Sequence, residues 1–178
     1  YPMQGLSFRE FLNIEAGTSF EKIILDELVK NHVSICKDVL TQVKPLAYFE
    51  NYLRYGYYPY YLESPSTYHR KLLNTVHLML EVKYIHKLKK LLYMLTQSVP
   101  FQPNVSQLAV DIEVSRNTVM LYLNYLEESK LLNLLRSKKS TDALLAKPEK
   151  VYLHHPNLFY AIGGTALNKG TERETFFY

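Results

Sequence analysis

The 178-residue sequence predicts a mainly α fold: a long helical region, then a winged helix-turn-helix with a small β-hairpin. Three observations carry this prediction. Apolar residues recur at helical intervals in segment after segment up to residue 99. The stretch "NVSQLAVDIEVSRNTVMLYLNYLEESKLLNLL" (104–135) reads as a short helix, a tight turn, a longer helix and an apolar strand. Finally, "LLNLLRS" (131–137) and "KVYLHHP" (150–156) read as strands flanking a polar, lysine-rich connection.

The elements follow in order. In "GLSFREFLNIE" (5–15), Ser7 with Glu10 three residues later is capping-box spacing for a short helix. "TSFEKIILDELVKNHVSICKDVL" (18–40) repeats apolar residues at helical spacing and predicts one long helix, broken near Asn31-His32. Pro45 opens the next helix and Gly56 stops it. In "YGYYPYYLES" (55–64), Pro59 forbids a continuing helix and biases Tyr58 towards an extended conformation, so the tyrosines form a packed aromatic loop. A base-stacking platform is the alternative, but Arg54 is the one basic residue nearby. Residues 67–99 give one or two helices, with Leu88, Leu91, Leu92 and Leu95 in a stripe and Lys87, Lys89 and Lys90 opposite. "PFQPN" (100–104) is a linker, "GGTALNKGT" (163–171) is loop-like, and "ERETFFY" begins another helix that the chain end is expected to truncate.

Composition narrows the function. Sixteen tyrosines and no tryptophan suggest half-buried seams in which each hydroxyl needs a partner. The single Cys36 cannot form an internal disulfide, which fits a reducing, cytoplasmic compartment. No apolar run approaches the roughly 20 residues of a membrane span. The start at Tyr1-Pro2 and the end inside "ETFFY" suggest a piece of a longer protein. His69, His77 and His86 stand more than about 12 Å apart along a helix, too far for one metal site. His154 and His155, adjacent on an expected strand, point to opposite faces. No glycine-rich loop ends in Gly-Lys-Ser/Thr, so this piece carries no phosphate cradle. No catalytic constellation emerges.

The net charge of +4 is patchy. Residues 64–100 and 130–150 are basic, whereas 101–129 hold Arg116 against Asp111, Glu113, Glu127 and Glu128. In the helix-turn-helix reading, Ser106 caps the first helix, Glu113-Val114-Ser115 turn, and Ser115 caps the second. Leu108, Val114 and Val119 knot the two helices together, and the small Ala109 lets them approach. The outward positions of the second helix are then Arg116, Asn117, Thr118, Met120 and Leu121. Arg and Asn both read base edges in a major groove. Phosphate contacts would come from Lys138, Lys139 and Lys147 on the wing, and from the Lys83–Lys90 helix if it folds alongside.

Five segments in order resemble the region after the nucleotide-binding core in a group of prokaryotic AAA+ type P-loop ATPases. They are "LSFREFLNIE", "YLRYGYYPYYLE", the 104–135 stretch, "KVYLHHPNLFYAI" and "NKGTERETFF". Members couple an ATPase core to a winged helix and then to a restriction-endonuclease-like domain of unknown function. The resemblance implies a helical lid over 1–100, a winged-helix domain over 101–160 and the start of a further domain over 161–178. It implies ATP and magnesium in the parent protein, with Arg54 or Arg9 offered to nucleotide phosphate, and the parent's own ATPase core as a partner. Tyr57 departs from the family's second turn glycine. Glu174 matches an acidic residue near the start of the endonuclease-like domain, whose other acids are not in this chain. The expected role is a non-catalytic module that links nucleotide state to double-stranded DNA. The alternative is a winged helix used as a protein-interaction, homo-oligomerising or intramolecular packing scaffold.

Overall fold

The computed structural model describes residues 5–79, 85–97, 102–137, 147–163 and 169–178. It is mainly helical, with one two-stranded antiparallel sheet, and its contacts divide it into two units, residues 1–65 and 66–178.

In the first unit, α1 (Phe8–Ala16) opens on the predicted capping box: the Ser7 side chain accepts from the Glu10 amide while Glu10 reaches back to the Ser7 amide. Gly17, at φ +65°, ends it in the left-handed region. The long helix starts later than the periodicity suggests, as α2 (Leu25–Gln42). Local polar bonds hold the preceding loop instead. Asn13 accepts from Thr18 and from the Phe20 amide, while Asn13 and Arg9 both donate to the Phe20 carbonyl. The expected break is present at Asn31, whose φ/ψ of −123°/16° is not helical. No residue of α2 is buried.

Pro45 begins α3 (Pro45–Asn51), which runs into a π-helical turn, Tyr52–Gly56. A Cβ on Gly56 would stand 2.5 Å from the Tyr52 ring and 2.8 Å from the Phe11 ring, so glycine is there for close approach. Pro59 does not simply break the chain. At φ −60° it adopts helical geometry and starts the short α4 (Tyr60–Glu63), a position where its missing amide costs nothing. The tyrosine segment is therefore partly helical, and its rings pack on one another: Tyr55 stacks on Tyr61 at 4.5 Å and Tyr57 meets Tyr58 edge-on at 4.9 Å. The buried apolar core of this unit is small: Phe11, Leu12, Val43, Tyr52 and Leu53.

The second unit contains α5 (Tyr68–Met79), α6 (Ile85–Thr96), α7 (Val105–Asp111), α8 (Arg116–Glu128), the strands β1 (Leu132–Leu135) and β2 (Lys150–Leu153), α9 (Pro156–Ile162) and α10 (Lys169–Phe177). The leucine stripe of α6 is buried as its spacing predicts, with Leu88, Leu91, Leu92 and Leu95 all at 2 % exposure or less. β1 and β2 pair antiparallel, Leu132 opposite Leu153 and Leu134 opposite Val151, on the side of the core. The helix α9 was not expected inside "HHPNLFYAI". Its signals are nonetheless regular: extended His155 as cap, Pro156 in the first turn and Gly163 at φ +97° as the stop.

The tyrosine seams find their hydroxyl partners. Tyr68 donates to Asn157, Tyr52 to the Leu6 carbonyl and Tyr160 to Glu172. Among the described residues no helix is long and apolar enough to cross a membrane.

Candidate nucleic-acid interface

The candidate site is built by α7, α8 and the turn between them. The cap of α7 is Asn104, whose side chain accepts from the Gln107 amide; Ser106, the expected cap, lies inside the helix. Asn and Ser cap comparably, so sequence alone does not separate two candidates two residues apart. At the other end the Val114 amide donates to Ala109 O and the Glu113 amide to Val110 O. That pair of bonds is a Schellman ending, with Glu113 in the left-handed position at φ 57°. The same ending closes α8: Leu131 donates to Leu126 O, Lys130 to Glu127 O, and Lys130 sits at φ 56°. Both endings turn the chain sharply without a glycine.

Ser115 caps α8 as predicted, accepting from the Thr118 amide at 3.1 Å. Leu108, Ala109 and Ile112 of the first helix and its turn, with Val119, Leu123 and Leu126 of α8, are all buried. These side chains fix which face of α8 looks outward. Arg116 and Asn117 are exposed, Met120 is half-buried and Leu121 is 64 % exposed. Thr118 is half-buried, and its hydroxyl lies 2.8 Å from that of Ser115, so it belongs to the cap. An open groove beside this end is lined by Ser106, Val110, Glu113 and Arg116, among others.

The cations near the helix pair meet different kinds of partner. Lys138 and Lys139 lie outside the described residues; Lys147 is exposed. Arg136, which follows β1, makes a bidentate pair with Glu127 at 3.0 and 2.7 Å and also donates to Asn124. Lys150 donates to Glu174 at 3.1 Å. Two lysines of α6 do reach the turn: Lys87 donates to the Glu113 carbonyl at 2.6 Å and Lys90 to the Asp111 carbonyl at 2.7 Å. Their spacing of three residues gave the common face; the partner carbonyls had no sequence signal.

Arg9 and Arg54 both lie in the first unit. Arg9 donates to the Phe20 carbonyl and stands 3.5 Å from Glu10; Arg54 pairs with Glu50 one helical turn earlier at 2.8 Å. The Glu174 carboxylate accepts from Tyr152 and Lys150, and these bonds hold it below the usual carboxylate range. No group of three His, Cys, Asp or Glu that could hold a metal occurs among the described residues. His154 meets Asn133 at 3.0 Å, whereas His155 is buried and uses Nδ1 to accept from the Asn157 amide. Burial pushes His155 down to about 3, so it is neutral, as that acceptor role requires.

A family model described as a domain of unknown function, DUF8612, matches residues 46–169. The chain belongs to this family. The DUF8612 match runs from α3 to the first residue of α10 and so contains the whole α7–α8 pair and both strands. A further relative of this DUF8612 chain is the uncharacterized protein MJ1637 of Methanocaldococcus jannaschii, 26 % identical over 168 residues. That alignment covers 84 % of the chain and 35 % of the relative, so the chain spans about a third of that protein's length. No solved structure matches the chain itself.

Proposed function

We propose that α7, α8, β1 and β2 form a winged helix-turn-helix that binds double-stranded DNA, with the N-terminal end of α8 entering the major groove. One observation carries this reading. The first two residues of α8, Arg116 and Asn117, are exposed, while the helix behind them is anchored by Val119, Leu123 and Leu126. Those residue types reach guanine and adenine edges bidentately, each worth about 1–3 kcal/mol of discrimination. Met120 and Leu121 supply apolar contact for thymine methyl groups.

In the parent protein this module follows an ATPase core that holds ATP and magnesium. Residues 1–100 serve as the lid that passes nucleotide state to the module, with Arg54 or Arg9 offered to nucleotide phosphate. Both already have protein partners, Glu50 for Arg54 and the Phe20 carbonyl for Arg9.

The test is binding of labelled duplexes to the chain, followed by anisotropy. Arg116→Ala and Asn117→Ala each lower discrimination between duplexes by roughly tenfold or more, the ratio corresponding to about 1.4 kcal/mol. If the unaltered chain binds no duplex even at low salt, the reading fails.

A second reading is favoured by α2. Leu25, Val29, Val33 and Leu40 are between 57 % and 72 % exposed on an amphipathic helix. A protein-interaction or packing role accounts for such a face. It predicts that replacing Leu25 and Val29 by serine abolishes concentration-dependent association, measured by sedimentation. Association that persists in the double variant contradicts it.

A further inference from the structure

We infer that Lys87 and Lys90 of α6 form a phosphate-binding subsite for the nucleic-acid backbone, beside the turn from which α8 starts. The inference rests on the DNA-binding reading and narrows the phosphate contacts expected of the Lys83–Lys90 helix to two residues and their geometry. Leu88, Leu91, Leu92 and Leu95 are buried and set the rotation of α6. Lys87 and Lys90, three residues apart, therefore share a face and both reach the α7–α8 turn.

The chemistry of their partners distinguishes these lysines from two other cations of the unit, Arg136 and Lys150. Arg136 and Lys150 face the carboxylates of Glu127 and Glu174, which cancel their charge. Lys87 and Lys90 face backbone carbonyls, which leave the charge intact. An ammonium carries three N–H donors, so after one carbonyl bond each lysine keeps two for a phosphate oxygen. The carbonyl bond also holds the long side chain in place before the phosphate arrives, which lowers the ordering cost of binding. With Arg116 they place three positive charges around a turn whose own carboxylates are Asp111 and Glu113; the Asp111 carboxylate already accepts from Gln107. The acidic 101–129 segment thus receives its positive charge from a neighbouring helix in addition to any from the hairpin.

The experiment compares the salt dependence of binding to a short duplex of arbitrary sequence for the full 178-residue chain and its variants. In Lys87→Gln/Lys90→Gln the plot of log affinity against log salt becomes shallower by about 1.8, from about 0.9 per lost phosphate contact. Lys87→Arg/Lys90→Arg keeps the original slope. Lys90→Gln alone, with Lys87 still on its carbonyl, loses about 0.9 and serves if the double variant melts. An unchanged slope in folded glutamine variants that still bind duplex overturns the subsite and leaves the DNA-binding reading standing. Failure of the unaltered chain to bind any duplex overturns that reading, and the subsite with it.

Discussion

The two units close their apolar surface to very different degrees. Among the described residues, residues 66–178 bury twenty-three apolar side chains, and every helix from α7 to α9 contributes. Residues 1–65 bury five, while their longest helix, the eighteen-residue α2, buries none. Both regions have helical periodicity in sequence, so amphipathicity alone does not say which face finds a partner within the chain. The second unit has a closed core that fixes the outward face of α8; the first leaves an apolar face open.

The sharpest way to break this contrast is paired truncation. Leu123→Ala, at a fully buried site on α8, costs about 2–5 kcal/mol in chemical denaturation. Val29→Ala in α2 stays within about 0.5 kcal/mol, because its side chain is 67 % exposed. Equal losses at the two sites would remove the distinction.

The second unit also carries a pH dependence of its own. His155 is neutral when folded, its value pushed down to about 3 by burial, against about 6.5 when unfolded. The unfolded chain therefore binds the extra proton first as pH falls. The stabilisation is fully present above pH 6.5 and declines towards pH 3, with a slope approaching 1.4 kcal/mol per pH unit. His155→Asn keeps an acceptor for the Asn157 amide and removes that slope, read as urea midpoints across the window. A slope retained in the variant would assign it to other groups.

A smaller effect should follow from Glu113→Gly. It relieves a left-handed residue, a stabilisation of about 1 kcal/mol, and removes a negative charge beside Arg116. Thermal melts and duplex affinity should both rise; a lower melting temperature would show that the Glu113 side chain supports the turn.

Much of this was legible in sequence wherever a local rule decides. The Ser7 and Ser115 caps, the Pro45 start, the buried leucine stripe of α6 and the pairing of the two strands all follow from spacing. What was not legible depends on side-chain bonds to distant backbone. Asn13 and Arg9 hold residues 18–20 out of α2, a competition that periodicity does not register. The cap of α7 moved to Asn104, and Pro59 started a helix where a break was expected. At the candidate site, Arg116 and Asn117 are exposed, as expected for the second helix. The fates of the cations were hidden, because Arg136 meets a carboxylate nine residues earlier while Lys87 meets a carbonyl twenty-six residues later.

Backbone amide NMR during titration with a duplex reports both units at once and shows which of them meets DNA. Shifts concentrated at residues 113–121, with Lys87 and Lys90 beside them and α2 silent, are what a reading end on α8 produces. Shifts confined to α2, or none up to saturating duplex, would contradict it.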